Sequence, residues 1–365
     1  MTDPYRDAGI DYDVLDAAKR LAMGAARATS DQLAKRGGRA VDESRGEPAF
    51  VFALGEDRFA FVLECLGTKS LLARQYQRAT ETNHFQAIGV DSVAAVVNDL
   101  CCVGALPLVV GAYFATGHPR WYSDQGRFSA LVEGWRAACE TCGATWGGGE
   151  SPSLPGLISE EDVEIAGSAV GRVPEGVEPI LGQDLAAGDE IVLVASTGLH
   201  TNGASLVRKL GAELPDGLQT RLPSGATLGA AALEASALYS GVVEALLEAS
   251  TPVTYLSHVT GHGLRKLMRA DRELTYRLTE LPPVPELFTF MADALEMSDY
   301  DAYGTFNMGA GYAVYCRPGA GDGVVDVCRD QGFDAVVAGV VEEGKRRLMI
   351  EPLGIEYSSE ALSLR

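Results

Sequence analysis

The segment GVDSVAAVVNDLCCVGALPLVVG, residues 89–111, constrains the fold of this chain more than any other. It is almost wholly apolar, so it belongs in a core, yet it carries Asp91, Asn98 and Asp99. A buried carboxylate without a partner is costly, or shifts its pKa until it is neutral. Something must therefore meet these groups, either the protein itself or a ligand. Asp91 can N-cap a helix over 92–103, with Gly104 and Pro107 as stop signals and a strand over 108–116. On such a helix Asp91 and Asn98 lie about 20° apart around the axis, and Asp99 about 80° further on. The plainer reading is a cap followed by two satisfied polar groups. The functional reading is a set of hard oxygen ligands for magnesium carrying phosphate oxygens. The residues alone leave both open.

Alternating patterns surround this segment. Residues 11–36 read as an amphipathic helix ended by Gly37-Gly38, and 50–55 with 59–65 as a hairpin turning at Glu56-Asp57. A helix follows over 124–142, then a Gly- and Pro-rich loop over 146–156 and a strand over 163–173. The turn-rich run at 174–188 marks a boundary, which divides the chain into 1–173 and 174–365. Beyond it come a strand (190–196), a loop (197–203), a helix opening at Ala204 and a longer helix over about 229–250. A loop entering a helix (260–268), a short helix in MADALEM and strands over 310–316 and 335–342 complete the second half. Strands alternating with helices in both halves indicate a two-domain α/β or α+β protein.

The chain has 365 residues, 47% of them hydrophobic and 22% charged, enough for a sizeable core. Its formal net charge of −20 makes it a poor general binder of nucleic acid or anionic membrane. An anionic substrate must then be received by local features: a bound metal, backbone amides, a few Lys and Arg. The acidic N-terminus resembles neither a signal nor a transit peptide, and no apolar run reaches the length of a membrane span. Seven scattered cysteines fit reduced thiols in the cytoplasm. Cys139 and Cys142 form a single CxxC with no second ligand pair, and read as two helix residues.

Several loops carry residues suited to phosphate chemistry. LGTKS (66–70) places Lys69 after a turn in which the Gly67 and Thr68 amides can hold a phosphate. GGGE (147–150) puts Glu150 beside Gly148 and Gly149. TGLHTNG (197–203) sets His200 and Asn202 at a helix entrance, where amides attract anions. In SHVTGHG (257–263), His258 and His262 flank a turn; the intervening Thr-Gly argues against a zinc pair.

In this order, the segments resemble the phosphoribosylformylglycinamidine cyclo-ligase, or AIR synthetase, family over nearly the whole chain. YRDAGIDYD (5–13), LGTKS, IGVDSVAAVVNDLCCVGALPLVVGAYFATG (88–117), GGES (148–151), STGLHTNGASLVRKL and TFNMGAGYAV carry the likeness. The resemblance implies two α/β domains, with the N-terminal domains of two subunits closing a shared β-barrel. It implies an ATP- and magnesium-dependent ring closure of formylglycinamidine ribonucleotide in purine biosynthesis. By position, Asp91, Asn98, Asp99 and Glu150 would handle magnesium and the ATP phosphates, with Glu64 at the place of the family's aspartate beside the metal. Gly67, Thr68, Gly148 and Gly149 would cradle phosphate. Lys69 would neutralise phosphate charge, His200 and Asn202 would line the substrate side, and Lys69, His200 and Asp99 would serve catalysis. The implied partners are ATP and a small nucleotide, in a cytoplasmic homodimer.

The chain departs from the family at five positions. Glu64 and Cys65 stand where the family has Asp-Gly, Arg6 where it has Lys, His262 where TGGG has Gly, and Ser153 where it has a second Glu. Such changes leave open a related ATP-dependent phosphotransferase acting on another acceptor.

Overall fold

The computed structural model describes residues 12–362. Two sheets organise it. The first contains β1 (Gly38–Val41), β2 (Phe50–Leu54), β3 (Asp57–Cys65), β4 (Leu106–Thr116), β5 (Thr145–Glu150) and β6 (Val163–Arg172). Their order is β1-β2-β3-β6-β4-β5, antiparallel except for the parallel β4–β5 pair. The second contains β7 (Glu190–Ala195), β8 (Val253–His258), β9 (Leu274–Leu278), β10 (Ala310–Cys316), β11 (Ala335–Glu343), β12 (Arg347–Ile350) and β13 (Ile355–Ser358). Here the order is β13-β12-β9-β11-β7-β10-β8, and only β12–β9 is parallel. The architecture is mixed α/β, with one sheet in each half and mostly antiparallel pairing.

The helices needed below are α1 (Tyr12–Arg27), α2 (Lys69–Thr80), α3 (Phe85–Cys101), α4 (Gln125–Thr141), α5 (Ala204–Glu213) and α6 (Ser240–Glu248). Helix α3 packs on α4 and the first sheet, and also touches α6 and β8 of the second half. A helix enclosed this way must be apolar around its circumference, which accounts for the composition of its segment. Close approach to α4 requires glycine on both helices. A Cβ on Gly89 would lie 2.3 Å from the Leu131 carbonyl oxygen, and one on Gly134 would lie 1.9 Å from that of Gln86.

Strand β6 alternates buried and half-buried residues, so the first sheet has one core face and one outer face. The outer face is apolar. Phe61 and Leu63 on β3, with Leu108 and Val109 on β4, are all at least 42% exposed.

Several sequence expectations need correction. The first helix stops at Arg27 and gives way to two 3₁₀ turns before Gly37, whose φ of +77° ends them. Helix α3 starts at Phe85, so Asp91 lies inside it and does not cap it. The GGGE run forms an edge strand, β5, instead of a loop. A Cβ on Gly149 would fall 1.9 Å from the Ala112 carbonyl oxygen, so strand pairing itself demands that glycine. The helix expected over 229–250 is two helices, Leu228–Ala232 and α6, separated by an irregular segment. The segment 260–268 enters a 3₁₀ helix, Gly263–Met268. Helix α2 and strands β1, β8 and β9 were not evident in the sequence. Arg6 and most of YRDAGIDYD lie outside the described residues.

Candidate active site at the seam between the two halves

The polar groups of α3 face the second half of the molecule. Asp91 is fully buried; its Oδ2 lies 2.7 Å from the Lys69 ammonium, which is also fully buried. Its Oδ1 accepts hydrogen bonds from the backbone N–H and hydroxyl of Ser236. Lys69 Nζ also donates to the Glu234 carbonyl at 2.9 Å. Two turns on, Asn98 Nδ2 donates to the Ala237 carbonyl and Asn98 Oδ1 accepts from the Tyr239 N–H, both at 2.9 Å. The irregular segment between the Leu228–Ala232 helix and α6 is thus threaded across α3 and tied to it. Burial pushes the Asp91 carboxyl up, against the pull of Lys69 and Ser236.

Asp99 is placed differently. Its Oδ1 lies 2.7 Å from Nδ1 of His258, at the end of β8. Burial raises this carboxyl, but the hydrogen bond and charge of His258, with Lys266 and Arg269, outweigh it and hold the pKa below the usual value. Asp99 and His258 both line a cavity of about 670 Å³ at the seam. Glu64, Cys65, Gly67 and Thr68 of the first half border it, as do Asn202, Gly203, Ser205, His262, Lys266 and Arg269 of the second. The Thr68 and Ser205 hydroxyls meet at 2.8 Å across the seam. Asn202 and Gly203 stand at the entrance to α5.

The expected site residues divide into groups. The cavity brings together Glu64, Gly67, Thr68, Asp99 and Asn202. Lys69, Asp91 and Asn98 lie behind its wall, with their polar atoms occupied by protein partners. His200 is also buried, with φ of +57°; its Nε2 accepts from the Thr197 N–H at 3.3 Å, and Nδ1 has no protein partner. Burial, then His258 and Lys69, push its pKa well down. Gly148, Gly149 and Glu150 are exposed on edge strand β5, away from the cavity lining, and Glu150 Oε1 accepts from the Ser151 N–H. Sequence reasoning missed Lys266 and Arg269. They stand just past the His262-Gly263 turn, Lys266 within the 3₁₀ helix and Arg269 at its C-terminal cap. No motif drew attention to them.

Among the described residues, no group of three or more His, Cys, Asp or Glu side chains is arranged to hold a metal ion. Magnesium needs less: one or two carboxylates beside phosphate oxygens and waters. Of the expected ligands, Glu64 and Asp99 are the carboxylates that border the cavity; Asp99 Oδ1 is bonded to His258.

This fold and site define a class. Residues 46–173 match the model for the N-terminal domain of AIR synthase related proteins, and 186–350 match the C-terminal domain model. Phosphoribosylformylglycinamidine cyclo-ligase from Alkaliphilus oremlandii is 32% identical over 96% of this chain and 100% of its own length. The protein of that name from Anaeromyxobacter sp. (strain Fw109-5) is 36% identical over 94% of this chain and 97% of its own. The chain belongs to the phosphoribosylformylglycinamidine cyclo-ligase family. Solved structures share the fold at lower identity. A chain of a HypE–HypF complex aligns with a TM-score of 0.60, at 16% identity over 86% of this chain and 92% of that one. AaThiL complexed with AMPPCP and TMP gives 0.57, at 15% identity over 86% and 90%.

Proposed function

We propose that this protein closes the imidazole ring of formylglycinamidine ribonucleotide at the expense of ATP, giving aminoimidazole ribonucleotide, ADP and phosphate. The observation that carries the reading is the cavity at the seam. One wall presents carboxylates and glycine-rich backbone, and the Asp99–His258 pair spans the two halves. Family membership supplies the reaction; the cavity supplies groups that suit it.

ATP would supply the phosphoryl group that turns the formyl oxygen into a phosphate leaving group, and Glu64 and Asp99 would hold the magnesium that neutralises its phosphate charge. The Gly67–Thr68 turn and the Asn202–Gly203 entrance to α5 offer backbone N–H groups to phosphate oxygens. Asp99, ionised, accepts from Nδ1–H of His258 and so fixes the tautomer that leaves Nε2 basic. His258 Nε2 then takes the proton released as the attacking nitrogen forms the ring bond. Lys69, Asp91 and Asn98 act from behind the wall by locking the 234–239 segment, which fixes the angle between the halves. His200, neutral and buried, keeps Nδ1 as a donor without a protein partner. Glu150 lies on edge strand β5, outside the cavity lining.

The apolar outer face of the first sheet is suited to a second copy of the chain, pairing sheet to sheet as the family's barrel dimer requires. The protein works in the cytoplasm, in keeping with seven unpaired cysteines; among the described residues no helix is long and apolar enough to cross a membrane. Restored growth of a purine auxotroph lacking this step tests the reading; no rescue by a well-expressed, folded protein contradicts it.

A further inference from the structure

The cavity's permanent positive charge sits on one wall. With Lys69 sealed against Asp91, Lys266 and Arg269 are the only Lys or Arg residues among the described residues that border the cavity. Lys266 lies in the 3₁₀ helix and Arg269 caps its C-terminus, three residues on, and both reach the same cavity. His262, at the head of that helix, borders the cavity too. It holds φ of +77°, a left-handed conformation that costs a non-glycine residue free energy. Glycine would remove that cost, and glycine is what the family pattern has here.

The turn bearing His262 is rigid. A Cβ on Gly263 would lie 2.3 Å from the Tyr303 carbonyl oxygen, so the chain is pressed against its neighbour there. Arg265 donates to the carbonyls of Gly304 and Ala361 at 2.6 and 2.9 Å. Arg269 donates to the Gly46 carbonyl at 2.9 Å, which ties the wall to the first half. Arg269 also lies 3.9 Å from the Glu47 carboxylate. A strained residue on a fixed turn, beside two cations in a cavity lined mainly by small neutral residues, has the form of a local anion receptor.

The geometry points to His262, Lys266 and Arg269 as the subsite for the phosphomonoester end of the acceptor, with His262 a specificity residue particular to this chain. The inference rests on the proposed function for the acceptor's identity, but not for its charge. The phosphoester end binds at the 262–269 wall, and the reacting amide then faces Asp99 and His258.

The test uses the full-length protein and two readouts. Inorganic phosphate is titrated by calorimetry into the native protein, His262→Gly, His262→Asn and Lys266→Gln, with circular dichroism confirming each fold. The KM for formylglycinamidine ribonucleotide and for ATP is measured in parallel. The subsite predicts at least fivefold weaker phosphate binding in His262→Gly and Lys266→Gln, and a partial return in His262→Asn. It also predicts a rise in acceptor KM that exceeds any change in kcat or in the KM for ATP. Phosphate binding within twofold of native in both variants, or a loss confined to ATP, overturns it. If the native protein does not turn over this acceptor, the proposed function fails, and the phosphate titration alone still decides the subsite.

Discussion

At the scale of single residues, the seam depends on charge and hydrogen-bond partners hidden from solvent. Removing one member of a buried ion pair leaves the other uncompensated, at a cost of about 3–5 kcal/mol. Lys69→Met should therefore lower stability by roughly that amount, measured by urea unfolding, and Lys69→Met/Asp91→Leu should recover much of the loss. A single variant as stable as native would show that the pair is inert. His200 gives a pH signature. Its folded-state pKa is depressed, so as pH falls below about 6.5 the unfolded chain takes up a proton that the native state refuses. Stability from this group is full above that pH and declines below it, by up to about 2 kcal/mol at pH 5 at 1.36 kcal/mol per unit. His200→Asn, which tolerates the left-handed backbone, should flatten that decline in thermal melts between pH 7 and 5. An unchanged slope would place the acid sensitivity elsewhere.

At the scale of elements, α3 and the segment threaded across it form the principal joint. The apolar run of α3 was legible in the sequence because a helix enclosed on every side must be hydrophobic. The partners of Asp91 and Asn98 were not, because Ser236, Ala237 and Tyr239 lie about 140 residues away and mostly meet them through backbone atoms that carry no side-chain signal. The same limit applies to the 229–250 region, where helical propensity hid the break that these hydrogen bonds stabilise. GGGE read as a loop because three glycines suggest flexibility, whereas here strand pairing excludes a Cβ at Gly149. LGTKS correctly put Gly67 and Thr68 at the cavity, but Lys69, one residue on, turns inward at the start of α2. Asn98→Ala removes two hydrogen bonds and leaves buried backbone groups unpaired, a loss of about 2–4 kcal/mol. Amide exchange should show the largest gain in opening at 236–240 and little change in β2 and β3. Uniform acceleration would mean that the joint is not local.

At the scale of the whole molecule, two sheets meet at one cavity, and one sheet leaves an apolar face outward. On the proposed sheet-to-sheet pairing, the native protein should be a dimer on light scattering, and Leu63→Asp together with Phe61→Glu should convert it into a soluble monomer with the far-ultraviolet spectrum retained. A native protein that is already monomeric would remove the sheet-to-sheet pairing from the account.

The most direct measurement is ADP formation in the presence of magnesium and ATP, with formylglycinamidine ribonucleotide compared against a panel of other phosphorylated and amide acceptors. The account predicts ADP release that depends on formylglycinamidine ribonucleotide, in step with aminoimidazole ribonucleotide, and that falls at least 100-fold in Asp99→Asn. ADP release driven by another acceptor and not by this one would contradict it.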